Sequence, residues 1–186
     1  MKRIAVLLTM LVIIFASMTS IANADTYKQL EKKNTRYLMC KNNDEGPTAT
    51  IEFWVTYYSP ELWKLHKENN KVTKTDSASD FLTTLRDEQL VVFKIRIDNN
   101  AHPIQLNPLN SFVTLRVDKK TFKSEESDLI LSREFQGENE GYIYFSRIDK
   151  KTGKDIFKNA KHIWLELSYA ISPVMEGKSL RLMWNL

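Results

Sequence analysis

A single cysteine, Cys40, stands among 186 residues, so no intramolecular disulfide can form and the fold has to rest on its core. Free cysteine packs readily as a small apolar residue, and burial of Cys40 is the expectation, with pairing between chains as the alternative. Lys28, Glu31, Lys32, Lys33 and Arg36 separate it from the N-terminal apolar run, which argues against lipidation there. Glycine is nearly as scarce: five residues cannot supply a phosphate-cradling loop. The three histidines, His66, His102 and His162, are isolated, without the close spacing that presets a metal site. No Gly-x-Ser-x-Gly elbow occurs, and no serine or cysteine neighbours a histidine in a familiar nucleophilic arrangement. The expectation is therefore a protein that is not an enzyme, with no cofactor and no metal.

One long apolar run is present. Lys2 and Arg3, then Ile4 to Phe15, then Ala22-Asn23-Ala24 read as a secretory signal over 1–24, with a positive start, an apolar core and a small-x-small cleavage site. The run falls short of the roughly 20 residues that a membrane span needs, so cleavage is expected rather than a retained anchor. The expected location is exported, periplasmic or extracellular, with no transmembrane segment in the mature chain. Removal of 1–24 from 186 residues leaves 162, enough for a single domain at 25–186. Lys2 and Arg3 leave with the signal, so 25 basic residues face 23 acidic ones, a balance that does not call for nucleic acid.

The mature chain is written mostly in period two. Val91, Phe93, Ile95 and Ile97 fall on one side of an extended backbone and Val92, Lys94, Arg96 and Asp98 on the other. Asn99-Asn100 reads as a turn, after which Val113, Leu115 and Val117 resume the alternation. Ile51, Phe53, Val55 and Tyr57 make a second strand, and Ile163, Leu165, Leu167 and Tyr169 another. Tyr142 to Phe145 and Leu180 to Leu186 add two more, Leu129 to Leu131 a short one, and Asp118-Lys119-Lys120 a hairpin turn. Asp25 to Pro47 reads as a mixed polar segment, docked by Tyr37 to Met39, and Gly137 to Gly141 as a turn. Residues 59–89 read as a partly helical insertion. Ser59-Pro60-Glu61 opens a helix of a turn or two that ends at Asn69-Asn70, and Phe81, Leu82 and Leu85 sit at helical spacing further on. About eight turn-punctuated strands give an all-β, mainly antiparallel fold, a sandwich or barrel.

The apolar strand, the Asn-Asn turn, the proline-containing Ile104 to Leu115, then Gly141 to Phe145 and Lys161 to Leu167 together resemble the small immunoglobulin-like β-sandwich domains of bacterial exported proteins. The resemblance spans roughly Leu90 to Leu186. It implies a binding or scaffolding module, a function that the fold alone does not specify.

Two residue classes offer binding chemistry. Trp54, Tyr58 and Trp164 fall opposite the inferred core side, and Trp63 sits beside the apolar face of its helix, so these rings are candidates for stacking on sugars or anchoring a protein. Lysines gather at two turns: Lys119 and Lys120 with Lys123, and Lys150 and Lys151 with Lys154, Lys158 and Lys161. Brought to one end of a sandwich they would form a positive rim for an anionic polymer or headgroup; otherwise they are solubilising turn residues. The leading expectation is an exported, non-enzymatic domain that binds an envelope or extracellular protein. The alternative is a carbohydrate or anionic envelope-polymer binder using Trp54, Trp164 and the lysine turns. Third is an envelope hydrolase using scattered acids, Glu125, Glu126, Asp128, Glu138 and Glu140, together with the histidines.

Overall fold

The structure, a computed structural model, describes residues 26–42, 44, 49–73, 89–127 and 133–186. The expected signal at 1–24, the helical spacing around Phe81 and the short strand at Leu129 to Leu131 lie outside the described residues. The chain divides into two compact units, one of Met1–Lys33 with Ser59–Thr75 and one of Asn34–Tyr58 with Asp76–Leu186. The first part of the expected insertion thus groups with the N-terminal stretch.

The first unit is helical where described, with α1 over 26–34 and α2 over Pro60–Thr73. The start of α2 follows the capping chemistry of its sequence. Ser59 Oγ accepts from Leu62 N at 3.3 Å, its carbonyl accepts from Trp63 N at 2.8 Å, and Glu61 lies in the first turn, near the positive end of the dipole. The helix does not stop at Asn69-Asn70. Asparagine costs well under ~1 kcal/mol inside a helix, and neither proline nor glycine follows to end it.

The second unit holds all nine strands of the described residues, and every pairing is antiparallel. They are β1 (Thr35–Lys41), β2 (Thr50–Tyr58), β3 (Leu90–Ile104), β4 (Val113–Val117), β5 (Lys120–Lys123), β6 (Glu126–Ser127), β7 (Phe135–Ser146), β8 (His162–Leu167) and β9 (Leu180–Asn185). One sheet runs β1-β2-β3-β7-β6 and the other β5-β4-β8-β9. Ile51, Phe53, Val55, Phe93, Ile95, Ile97, Ile143 and Phe145 of the first sheet share one core with Val113, Leu115, Val117, Ile163, Leu165, Leu167, Leu182 and Trp184 of the second. The all-β, antiparallel expectation holds, and the alternating residues of β2, β3, β4 and β8 point into the core as their period requires.

Three elements differ from the sequence reading. Asn99-Asn100 is not a turn but lies within β3, which runs on to Ile104. There the β3–β7 register shifts between Asn99 and Ile104, and Pro103 is tolerated because the irregular stretch needs no ladder donor from it. Gly137 to Gly141 is not a turn either but part of β7, with Gly137 opposite Asn99 and Gly141 opposite Ile95. Its acids are held by the basic outer face of β3, Glu140 to Lys94 at 2.9 Å and Glu138 to Arg96 at 3.7 Å. The segment read as mixed and polar carries α1 and β1, and β1 pairs along its whole length with β2.

Tyr57 is buried against Phe93 and Trp184, with ring centroids 5.4 and 6.4 Å away. Burial pushes its hydroxyl up to about 12, the Arg147 charge acting in the opposite sense. In the unfolded chain the phenol ionises near ~10, so the fold favours the neutral form. That contribution is present in full below pH ~10 and is lost as pH rises toward the folded value. Over this window the melting temperature of Tyr57→Phe should fall less steeply than that of the wild type in parallel thermal scans; identical slopes would contradict the assignment.

Candidate functional site

The first candidate surface is the outer face of the five-stranded sheet beside β1. Pairing sets Tyr37, Trp54 and Arg96 side by side on adjacent strands, with Met39, Glu52 and Asp98 in the next row. The Arg96 guanidinium lies 4.1 Å from the centroid of the half-buried Trp54 ring, and the Tyr37 ring packs 5.1 Å from it. Trp54 is therefore already covered by a cation and a ring and is not the bare stacking platform expected of it. The groups left outward are Tyr37, 50 % exposed, and Met39, 54 % exposed. The Tyr37 hydroxyl donates to Glu52 Oε2 at 2.6 Å, and that bond holds its ionisation above the usual value.

At the edge of its sheet, β1 is tied to the opposite sheet through its start. Trp184 Nε1 donates to Asn34 O at 2.6 Å, and Arg36 Nε donates to Met183 O at 3.0 Å. Cys40 is half-buried against the core, neither fully enclosed nor open, and desolvation pushes its thiol up.

The other aromatic candidates scatter. Tyr58 is buried, not exposed, because both faces of β2 are buried from Val55 to Tyr58; its ring lies 5.9 Å from that of Tyr142. Trp164 is half-buried on the outer face of the four-stranded sheet, 5.9 Å from the His162 ring and paired with Met183. Trp54 and Trp164 thus sit on the outward faces of different sheets and form no common patch. Trp63, in the helical unit, stacks on His66 at 5.3 Å and 14°.

The lysines converge. The β4–β5 hairpin turns at Asp118, whose φ of 53° is left-handed, and the segment 147–155 folds back beside it through the Ile148–Asp155 bridge. Asp149 fastens the two: its Oδ1 accepts from Lys151 N at 2.9 Å and its Oδ2 from Lys120 Nζ at 3.1 Å. These bonds, the backbone one foremost, hold its carboxyl below the usual carboxylate range. Lys150 pairs with Glu125 at 2.7 Å. Between hairpin and loop lie two adjoining grooves, of about 760 and 740 Å³, that share Lys120, Phe122, Asp149 and Thr152. Lys119, Lys120, Lys150 and Lys151 all line them.

In the sequence, Tyr37 and Met39 read only as docking a polar segment, and nothing singles out Asp149. The signal for the first two was a short alternation, Tyr37 and Met39 against Leu38 and Cys40, that reads as mixed because an edge strand is half-buried on its inner side. Among the described residues no helix is long and apolar enough to cross a membrane, and no group of three or more His, Cys, Asp or Glu is placed to hold a metal ion. Compared with models of protein families, with curated proteins and with solved structures, the chain matches none.

Proposed function

We propose that the chain is an exported, non-enzymatic binding module on an immunoglobulin-like β-sandwich, and that it engages an envelope or extracellular protein along β1 and the adjoining outer sheet face. The fold part of this reading is supported by strand order. With β1 set aside, β2-β3-β7-β6 against β5-β4-β8-β9 follows the A-B-E-D and C′-C-F-G arrangement of immunoglobulin-like domains, strand by strand in sequence.

The observation that carries the binding part is β1 itself. It is additional to that eight-strand pattern, stands at a sheet edge, and holds two large apolar side chains about half exposed, Tyr37 and Met39. Edge strands are the usual place for strand addition, in which main-chain hydrogen bonds give affinity and alternate side chains give specificity. Exposed aromatic and methionine side chains supply the apolar contact that interfaces concentrate.

A photo-crosslinking residue at position 39, in protein produced in its native host, should capture one defined protein. The same residue at position 169, where Tyr169 is 54 % exposed, should not capture it. With the crosslinking residue kept at position 39, Tyr37→Lys should abolish the capture, with only a small fall in melting temperature from the lost Trp54 ring contact and Glu52 bond. Equal capture from both positions, or none from position 39, would sink this reading.

A further inference from the structure

We propose that the double groove between the β4–β5 hairpin and the 147–159 segment binds an extended phosphate-bearing polyanion, a site separate from the β1 edge. Seven lysines line the two grooves, Lys119, Lys120, Lys123, Lys150, Lys151, Lys154 and Lys158, against four acids, Asp118, Glu125, Asp149 and Asp155. That surplus of three exceeds the surplus of two carried by the whole of 25–186, so positive charge is concentrated at this end while the remainder is close to balanced.

Three of these acids are used inward, while Asp118 is exposed at the hairpin turn. Asp149 fastens loop to hairpin, Glu125 takes Lys150, and Asp155 takes Arg147 at 2.9 Å. Among the described residues, no carboxylate pairs with Lys119, Lys123, Lys151, Lys154 or Lys158, and all five are exposed. Two elements that repel each other are thereby held together by their own carboxylates, leaving the ammonium groups outward. Phe122, half-buried, lines both grooves.

Length and residue type indicate the ligand class. Two adjoining grooves make a track longer than one anion fills. Lysine offers point charges on flexible stems rather than the planar fork with which arginine grips a single phosphate or carboxylate. Several point charges along a track suit repeated negative charges, and their attraction grows as salt is lowered.

The test is titration of the full chain with long-chain inorganic polyphosphate, alongside orthophosphate at equal phosphate concentration and vesicles containing anionic lipid. Polyphosphate should bind, more weakly as ionic strength rises from ~0.01 to ~0.15 M and the Debye length shrinks from ~30 to ~8 Å. At about fivefold per lysine charge, the triple variant Lys119→Ala, Lys151→Ala, Lys154→Ala should weaken binding about a hundredfold with an unchanged melting temperature. Lys41→Ala with Lys178→Ala, outside the grooves, should leave it unchanged. No polyphosphate binding at low salt, equal loss in both variants, orthophosphate as good a ligand as the polymer, or binding to vesicles alone would each overturn the proposal.

Discussion

Replacing Asn99 with leucine is expected to destabilise the second unit by about 2–5 kcal/mol, although the two side chains are similar in volume. Asn99 is completely buried in the middle of the longest strand. Its Oδ1 accepts from Ala101 N at 3.1 Å, and its Nδ2 donates to His102 O at 2.8 Å and, at 3.5 Å, to Phe135 O of β7. These bonds satisfy the backbone where the β3–β7 ladder slips its register, and Gln136 Nε2 adds one to Ala101 O at 2.6 Å. Leucine would remove the acceptor of the buried Ala101 N and the donor to the partly buried His102 O, each loss worth about 1–3 kcal/mol. For a protein of this size that is a fall in melting temperature of roughly 4–20 °C, with the urea midpoint falling and m unchanged. Asn99→Asp should also destabilise, because it keeps the acceptor but loses the donor and buries a charge. A change below about 0.5 kcal/mol in Asn99→Leu would mean that the register shift is supported in some other way.

Trp184→Ala is expected to cost about 3–5 kcal/mol, and Trp184→Phe distinctly less but with a local signature. The indole is 1 % exposed, its ring centroid lies 5.3 Å from Phe93 and 6.4 Å from Tyr57, and it therefore joins β9 to the core side of β2 and β3. Alanine leaves a cavity there. Phenylalanine keeps much of the packing but removes the Nε1–H that meets Asn34 O where the chain enters β1. The Arg36 guanidinium, 5.6 Å from the ring and bonded to Met183 O, would still link that end of β1 to β9. Amide exchange over 35–41 should quicken in Trp184→Phe while that of β3 stays slow. Uniform quickening of all strands would contradict the local role.

What the sequence made legible was decided by periodicity, and where it failed the reasons are physical. β3 and β8 announce themselves because one face of each is fully buried and the other carries polar residues, Lys94, Arg96 and Asp98 in β3 and His162 and Glu166 in β8. The later part of β7, Tyr142 to Phe145, was legible, but its first half was hidden because Glu138 and Glu140 fill the outer positions and Gly137 and Gly141 the inner ones, residues that favour turns until a basic neighbouring strand holds them. β1 was hidden because, among the described residues, it pairs with a strand on one side only, so its pattern runs from half-buried to exposed. Tyr58 misled because parity predicts sides, and at that end of β2 both sides are buried. Trp54 and Trp164 misled differently: alternation marks both as outward, but only strand pairing reveals that they belong to different sheets. The lysine turns were visible as charge in the sequence; what joins them, one carboxylate bonded to a lysine 29 residues away, was not.

Hydrogen–deuterium exchange of the full chain, alone and in complex with the protein captured at position 39, tests the β1 account most directly. The account predicts new protection concentrated at 35–41 and the paired stretch of β2, with the 118–123 and 147–158 amides unchanged. Protection confined to those two lysine segments, with β1 unaltered, would contradict it and place the protein contact at the groove.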